Sequence, residues 1–246
     1  MTTASEPNTM EDIAVRCRSV NWTHIHKALD EQGSAVFHNL LTRVECEAMA
    51  ALYSQRERFR KRVVMARHGF GRGEYQYFHY PLPEVTQKLR TALYPGLAVI
   101  ANHWNDKLGI TTRYPLEHNA FLARCREAGQ HKATPLLLEY GAGDHCCLHQ
   151  DLYGEHVFPL QVVILLSEPG RDFEGGELLL TEQRGQMATR ADVIPLRQGD
   201  AVVFAVNQRP VRGARGYARA AMRHGVSRLH RGERYTAGII FHDAQS

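Results

Sequence analysis

Tyr140-Gly141-Ala142-Gly143-Asp144-His145-Cys146-Cys147-Leu148-His149-Gln150-Asp151 is the stretch that decides how this chain is read. A glycine-punctuated turn leads into an extended run, with His149 and Asp151 at positions i and i+2. Side chains two apart on a strand share a face, so an imidazole and a carboxylate converge on one point. Farther along, His224 offers a second imidazole, and Arg234 follows it by ten residues. Two imidazoles and one carboxylate cover one face of an octahedron and leave three positions open, a donor set suited to non-haem Fe(II). The fixed guanidinium fork of Arg234 suits a bidentate carboxylate.

Outward from that stretch the second half of the chain reads as short strands. Apolar runs occur at 136–140, 159–166, 177–180, 192–196, 201–206, 223–229 and 235–241, separated by Gly, Pro and Asp. Many short strands with such punctuation predict a β-sandwich or jelly roll. The first half is helical around a few strands. Residues 11–32 have helical spacing and stop at Gly33, and 34–41 reads as a strand. Thr42-Arg43-Val44-Glu45 is a capping box opening a helix to about Phe59. Strands are expected at 62–65 and 75–80, and helices at 84–107, interrupted near Pro95-Gly96, and at about 115–128. The expected class is α+β, with residues 1–133 a helical and lid region packed on a jelly-roll core of residues 134–246, one structural domain overall.

Composition sets the bounds. With 246 residues, 43% hydrophobic and 23% charged, the chain is an ordinary globular one that can bury a core. Five irregularly spaced cysteines argue against a disulfide framework and for a reducing, cytoplasmic setting. Residues 1–10 are polar, no signal peptide is expected, and no apolar run is long enough to span a membrane. The net charge of +4 says little globally. Locally, Arg56, Arg58, Arg60, Lys61 and Arg62 cluster, and so do Arg209, Arg212, Arg215, Arg219 and Arg223. Either group is a solvated surface or a phosphate-facing one.

The motifs in order are Tyr140 to Gly143, His149-Gln150-Asp151, Leu165 to Glu168, Phe173 to Leu178, Arg197 to Phe204, His224-Gly225-Val226 and Gly232 to Tyr235. Over residues 135–243 this series resembles the catalytic domain of the 2-oxoglutarate/Fe(II)-dependent dioxygenases, in the order of the prolyl 4-hydroxylase-like branch. The whole chain resembles a bacterial group of that superfamily inferred to demethylate damaged nucleic acid oxidatively, an AlkB-like activity. The resemblance implies a cupin-like double-stranded β-helix with Fe(II), 2-oxoglutarate and O₂ as cofactor and co-substrates. It implies His149, Asp151 and His224 as catalytic metal ligands, and His224 over His230 because the ligand stands ten residues before the basic anchor. It implies Arg234 for the distal carboxylate of 2-oxoglutarate. Tyr140, nine residues before His149, is either a phenol donor to the co-substrate or a core tyrosine.

Cys146 and Cys147 read as packing residues, one facing in and one out. The segment 63–78 is a substrate-lid candidate, with Arg67 and Arg72 for phosphates and Phe70, Tyr75 and Tyr77 for a stacked base, or else a plain hairpin whose aromatics fill the core. AlkB-type enzymes carry a second arginine six residues beyond the first, where this chain has Ile240. Two substrate classes therefore stand side by side. One is alkylated single- or double-stranded nucleic acid, the DNA-repair reading. The other is a protein side chain or small metabolite that is hydroxylated. No obligate protein partner is expected.

Overall fold

The computed structural model describes residues 12–245; Glu11 and the polar start read above lie outside them. The N-terminal helical stretch is two helices, α1 (Ile13–Ser19) and α2 (Trp22–Gln32), because Asn21 caps the second by accepting from the His24 amide at 3.0 Å. α2 ends where expected, at Gly33 with φ +81°. β1 (Ser34–Phe37) follows, then α3 (Arg43–Ala51) with the capping box in place. α3 stops well short of Phe59, and two single 3₁₀ turns bridge the gap. Pairing decides this: Phe59 opens β2 (Phe59–Val64), sits opposite Phe78 and stacks on it at 4.7 Å. β3 (Gly71–Arg72) and β4 (Glu74–Phe78) follow, with β4 antiparallel to β2.

α4 (Glu84–Lys107) runs unbroken through Pro95. The expected interruption is absent because Pro95 and Thr91 lie on the exposed face, where water can take the freed carbonyl. Gly96 has its own reason, since a Cβ there would lie 2.6 Å from the Trp22 indole. α5 (His118–Glu127) leads to the strand-rich half: β5 (Leu136–Gly141), β6 (His145–His149), β7 (Leu160–Leu165), β8 (Phe173–Gly175), β9 (Leu178–Arg184), β10 (Arg190–Ile194), β11 (Ala201–Ala205), β12 (Gln208–Gly213), β13 (Gly216–Val226) and β14 (Leu229–Ile239).

Two antiparallel sheets face each other as a jelly roll. The major sheet runs β1-β11-β7-β14-β5-β4-β2, with β8 on β14; the minor sheet runs β10-β9-β13-β6-β3, with β12 on β13. Strands from the first half thus extend both sheets. The helices cover the major sheet. β11 is buried along its whole length, as its unbroken apolar sequence requires. α4 contributes buried Leu89, Leu93, Leu97 and Trp104 to the main core cluster. Arg90, fully buried on α4, bonds Asp243 at 2.8 Å and the Ile240 and His242 carbonyls, tying helix to sheet. No helix among the described residues is long and apolar enough to cross a membrane.

Candidate active site

β6 ends at His149, whose cross-strand partner on β13 is His224. Their rings lie 4.1 Å apart. Gly225 permits this approach, because a Cβ there would come within 2.7 Å of the Cys146 carbonyl. Asp151 enters from the loop after β6, with Oδ1 3.5 Å from His149 Nε2 and Oδ2 3.3 Å from His224 Nε2. One donor atom from each residue fits within 4.8 Å of the others, so the three could hold one metal ion.

Neighbouring groups fix these donors. His149 Nδ1 lies 2.9 Å from the Cys147 carbonyl, which leaves Nε2 free to ligate. Tyr153 donates its hydroxyl to Asp151 Oδ1 at 2.6 Å, and Gln161 donates to Oδ2 at 2.9 Å. Gln150, between the two proximal donors, donates to the Asn207 and Met222 carbonyls and so pins the base of the β12–β13 hairpin. Without a metal, burial opposes the charged form of His149, but hydrogen bonds from its ring to Asp151 and Cys146 outweigh that and push its pKa up to about 11. Burial opposes ionisation of Asp151 too, yet the two imidazoles hold its carboxyl well below the usual range. Burial lowers the pKa of His224 despite the pull of Asp151.

A cavity of about 210 Å³ stands over these donors. Met65, Phe70, Tyr75, Tyr77 and Tyr153 wall it, and Arg234 and Tyr140 line its depth. Arg234 is 2% exposed, and its Nε and Nη1 have no hydrogen-bond partner; the Tyr140 hydroxyl is also buried and unpartnered. An unmatched guanidinium beside an unmatched phenol is costly in isolation, and a carboxylate-bearing ligand would satisfy both. The residues therefore fit a co-substrate such as 2-oxoglutarate as well as a divalent metal.

His149, Asp151, His224, Arg234, Tyr140, Phe70, Tyr75 and Tyr77 all line this cavity. Arg67 and Arg72 do not. Arg67 lies exposed on a 3₁₀ turn, and Arg72 pairs with Asp144 at 3.2 Å. Cys146 lines the cavity while Cys147 faces solvent. His230 is exposed on β14. The first arginine cluster is largely engaged: Arg60 donates to the Ala133 carbonyl and lies 4.8 Å from the Tyr77 ring centre, and Arg62 bonds Glu74. Arg209 is a structural residue, buried and bonded to Glu182 and to the Asp30 and Glu31 carbonyls. Sequence reasoning missed Tyr153 and Gln161. The signal for Tyr153 was its i+2 spacing from Asp151; Gln161, a polar residue inside an apolar strand, was legible only as an anomaly.

This fold is similar to that of a Pseudomonas putida prolyl-4-hydroxylase, with TM-score 0.52 and 15% identity over 92% of this chain and 100% of that one. It is equally similar to a 2OG-Fe(II) oxygenase family oxidoreductase from Burkholderia pseudomallei, at 0.52 and 16% over 92% and 94% of the two chains. The likeness shows the fold, and within it the donor set could hold a divalent metal while the unmatched arginine could take a carboxylate-bearing co-substrate. The particular family follows from sequence. Residues 73–244 match the Oxygenase-NA model, described as an oxygenase catalysing oxidative methylation of damaged DNA, and the chain belongs to that family. It is also 50% identical over 167 residues to an uncharacterised protein of Mycobacterium tuberculosis, covering 68% of this chain and 72% of that one.

Proposed function

We propose that this oxygenase repairs alkylated nucleic acid, with His149, Asp151 and His224 holding the metal and Arg234 and Tyr140 holding 2-oxoglutarate. The observation that carries the substrate is the aromatic wall of Phe70, Tyr75, Tyr77 and Tyr153 over the metal-donor face. Such a wall can take a flat, extruded base between rings. The family description, which concerns damaged DNA, supports the same reading.

When bound, iron with 2-oxoglutarate and O₂ supplies the oxidising chemistry. An N-methyl group, 2-oxoglutarate and O₂ become an N-hydroxymethyl group, succinate and CO₂. The hydroxymethyl group then leaves as formaldehyde, returning its proton to the base nitrogen. The chain's own part is positional. Tyr153 and Gln161 hold Asp151 by both oxygens, and Arg234 neutralises the distal carboxylate. Tyr75 and Tyr77 keep the target base dry and oriented. A cytoplasmic location goes with this substrate.

The test is incubation of the iron-loaded protein with methylated oligonucleotides, scoring succinate and formaldehyde together. Equal release of both supports repair. Succinate with a stably hydroxylated product, or turnover only on peptides or metabolites, overturns it. The second reading, side-chain or metabolite hydroxylation, is favoured by one observation: the apolar Ile240 lines the cavity where a second arginine would be expected for repair enzymes.

A further inference from the structure

The residues 201–232 contain no aspartate or glutamate and seven arginines. The structure folds much of this run into one projecting hairpin, β12–β13. Along β13, Ala220, Met222 and His224 face inward, and Arg219, Ala221 and Arg223 face outward. Arg212 on β12 is the cross-strand partner of Tyr217, itself 45% exposed, and Arg215 occupies the turn. None of Arg212, Arg215, Arg219 or Arg223 has an ion-pair partner among the described residues. The acids packed against the hairpin are already used. Glu182 is taken by Arg209 and Arg184, and Asp30 by Lys107 and Trp104.

The register adds position to charge. β6 ends at His149, opposite His224, so the part of β13 before His224 runs on beyond the rim where the metal donors sit. The stretch from Arg223 to Arg215 spans roughly 26 Å at strand rise, about eight base-pair steps along a duplex axis. Gln150, between His149 and Asp151, donates to the Asn207 and Met222 carbonyls at the hairpin base. The base of the hairpin is thereby tied to the metal-donor loop.

We infer that the outer face of this hairpin is the track for a nucleic-acid backbone running away from the target nucleotide, with Arg212, Arg215, Arg219 and Arg223 on phosphates. This rests on the nucleic-acid reading above and deepens it. It also moves the expected phosphate contacts from the engaged Arg60 and Arg72 to the hairpin. Phosphate contacts set register and orientation and carry no sequence information, so the enzyme should bind flanking sequence indiscriminately.

The experiment measures anisotropy of a labelled 15-nucleotide strand against salt. It compares the wild type, Arg212→Gln/Arg215→Gln/Arg219→Gln, the matching triple lysine variant, and Arg18→Gln/Arg126→Gln/Lys132→Gln, which removes the same charge elsewhere. Thermal unfolding of each variant separates folding defects from binding ones. The glutamine hairpin variant should lose at least tenfold in affinity, and its log–log salt slope should shrink by about 2, near 0.7 for each lost phosphate on a single strand. The lysine variant and the distant control should stay within about threefold of wild type, since a lysine can still neutralise a phosphate as a point charge. If the wild type binds and the glutamine hairpin variant matches it, the track is wrong and the repair reading stands. If the wild type binds no oligonucleotide, the repair reading itself fails. Equal binding of polyglutamate of matched charge would also overturn the track.

Discussion

Arg234 and Tyr140 are direct cross-strand neighbours on β14 and β5, and the guanidinium carbon lies 5.6 Å from the phenol ring centre. Each carries a buried polar atom that nothing in the protein satisfies. A fold that keeps a charge dry and unmatched loses stability to do so, and the loss is recovered when an anion arrives. Arg234→Ala should weaken 2-oxoglutarate binding by about 2–5 kcal/mol, with Arg234→Lys between. Tyr140→Phe should cost about 1 kcal/mol. The same logic predicts a gain: Arg234→Met should stabilise the ligand-free protein by about 1–3 kcal/mol in denaturant while abolishing stabilisation by 2-oxoglutarate. Unchanged 2-oxoglutarate affinity in the alanine variant would remove Arg234 from the site.

The metal donors make a plainer prediction. His149→Ala, Asp151→Ala and His224→Ala should each end iron-dependent succinate formation, because a face of three ligands tolerates no gap. His230→Ala should keep it, since His230 is exposed on β14. Full turnover in any of the first three would exclude that residue as a ligand.

Tyr153 and Gln161 act on the same centre through Asp151, one on each carboxylate oxygen. Partners of a metal ligand tune affinity by about 10–100-fold. Tyr153→Phe should therefore weaken Fe(II) or Co(II) binding by about tenfold and shift the Co(II) absorption bands. A variant that loses turnover yet binds metal with wild-type affinity and spectrum would show that Tyr153 serves substrate instead.

What the sequence disclosed follows from chemistry that is local. The i, i+2 spacing of His149 and Asp151 and the apolar runs that become β7, β11 and β14 depend only on strand geometry and burial. Gly33, Thr42 and Glu45 mark helix ends by short-range hydrogen bonds. What it hid depends on pairing across the chain. Phe59 leaves a helical pattern to stack on Phe78, and Pro95 sits harmlessly on a wet face. Gly71-Arg72 becomes a strand only because β6 offers it an edge. Arg60 and Arg209 look like surface charge in a string of letters, and only folding brings Ala133 and Glu182 to them.

Arg90 and Asp243 were silent in the sequence for the same reason. Both side chains are fully buried, 2.8 Å apart, and Tyr80 also bonds the pair. Removing one partner of such a pair strands the other charge. Asp243→Ala should cost about 3–5 kcal/mol of unfolding free energy. Arg90→Met/Asp243→Leu should recover much of it, because neither charge is then left buried alone. Chemical denaturation of the two variants checks both statements, and a double variant no better than Asp243→Ala would contradict them.

Two buried histidines near that pair set the acid side of stability. Burial first, and the Arg90 charge second, lower both His118 and His242 to about 3. A folded-state pKa below the unfolded value of 6.5 means that the unfolded chain binds more protons between those limits. Stability should therefore be intact above about pH 6.5, fall by about 1.4 kcal/mol per pH unit per histidine below it, and level off near pH 3. His118 Nε2 lies 2.8 Å from the Phe241 carbonyl, and His242 Nδ1 accepts from the Phe158 amide. His118→Gln and His242→Asn can preserve those bonds without a titrating ring. The combined variant should lose less stability than wild type between pH 7 and pH 5, by about 4 kcal/mol. Parallel pH profiles would mean that the two rings are not held neutral, and that acid unfolding starts elsewhere.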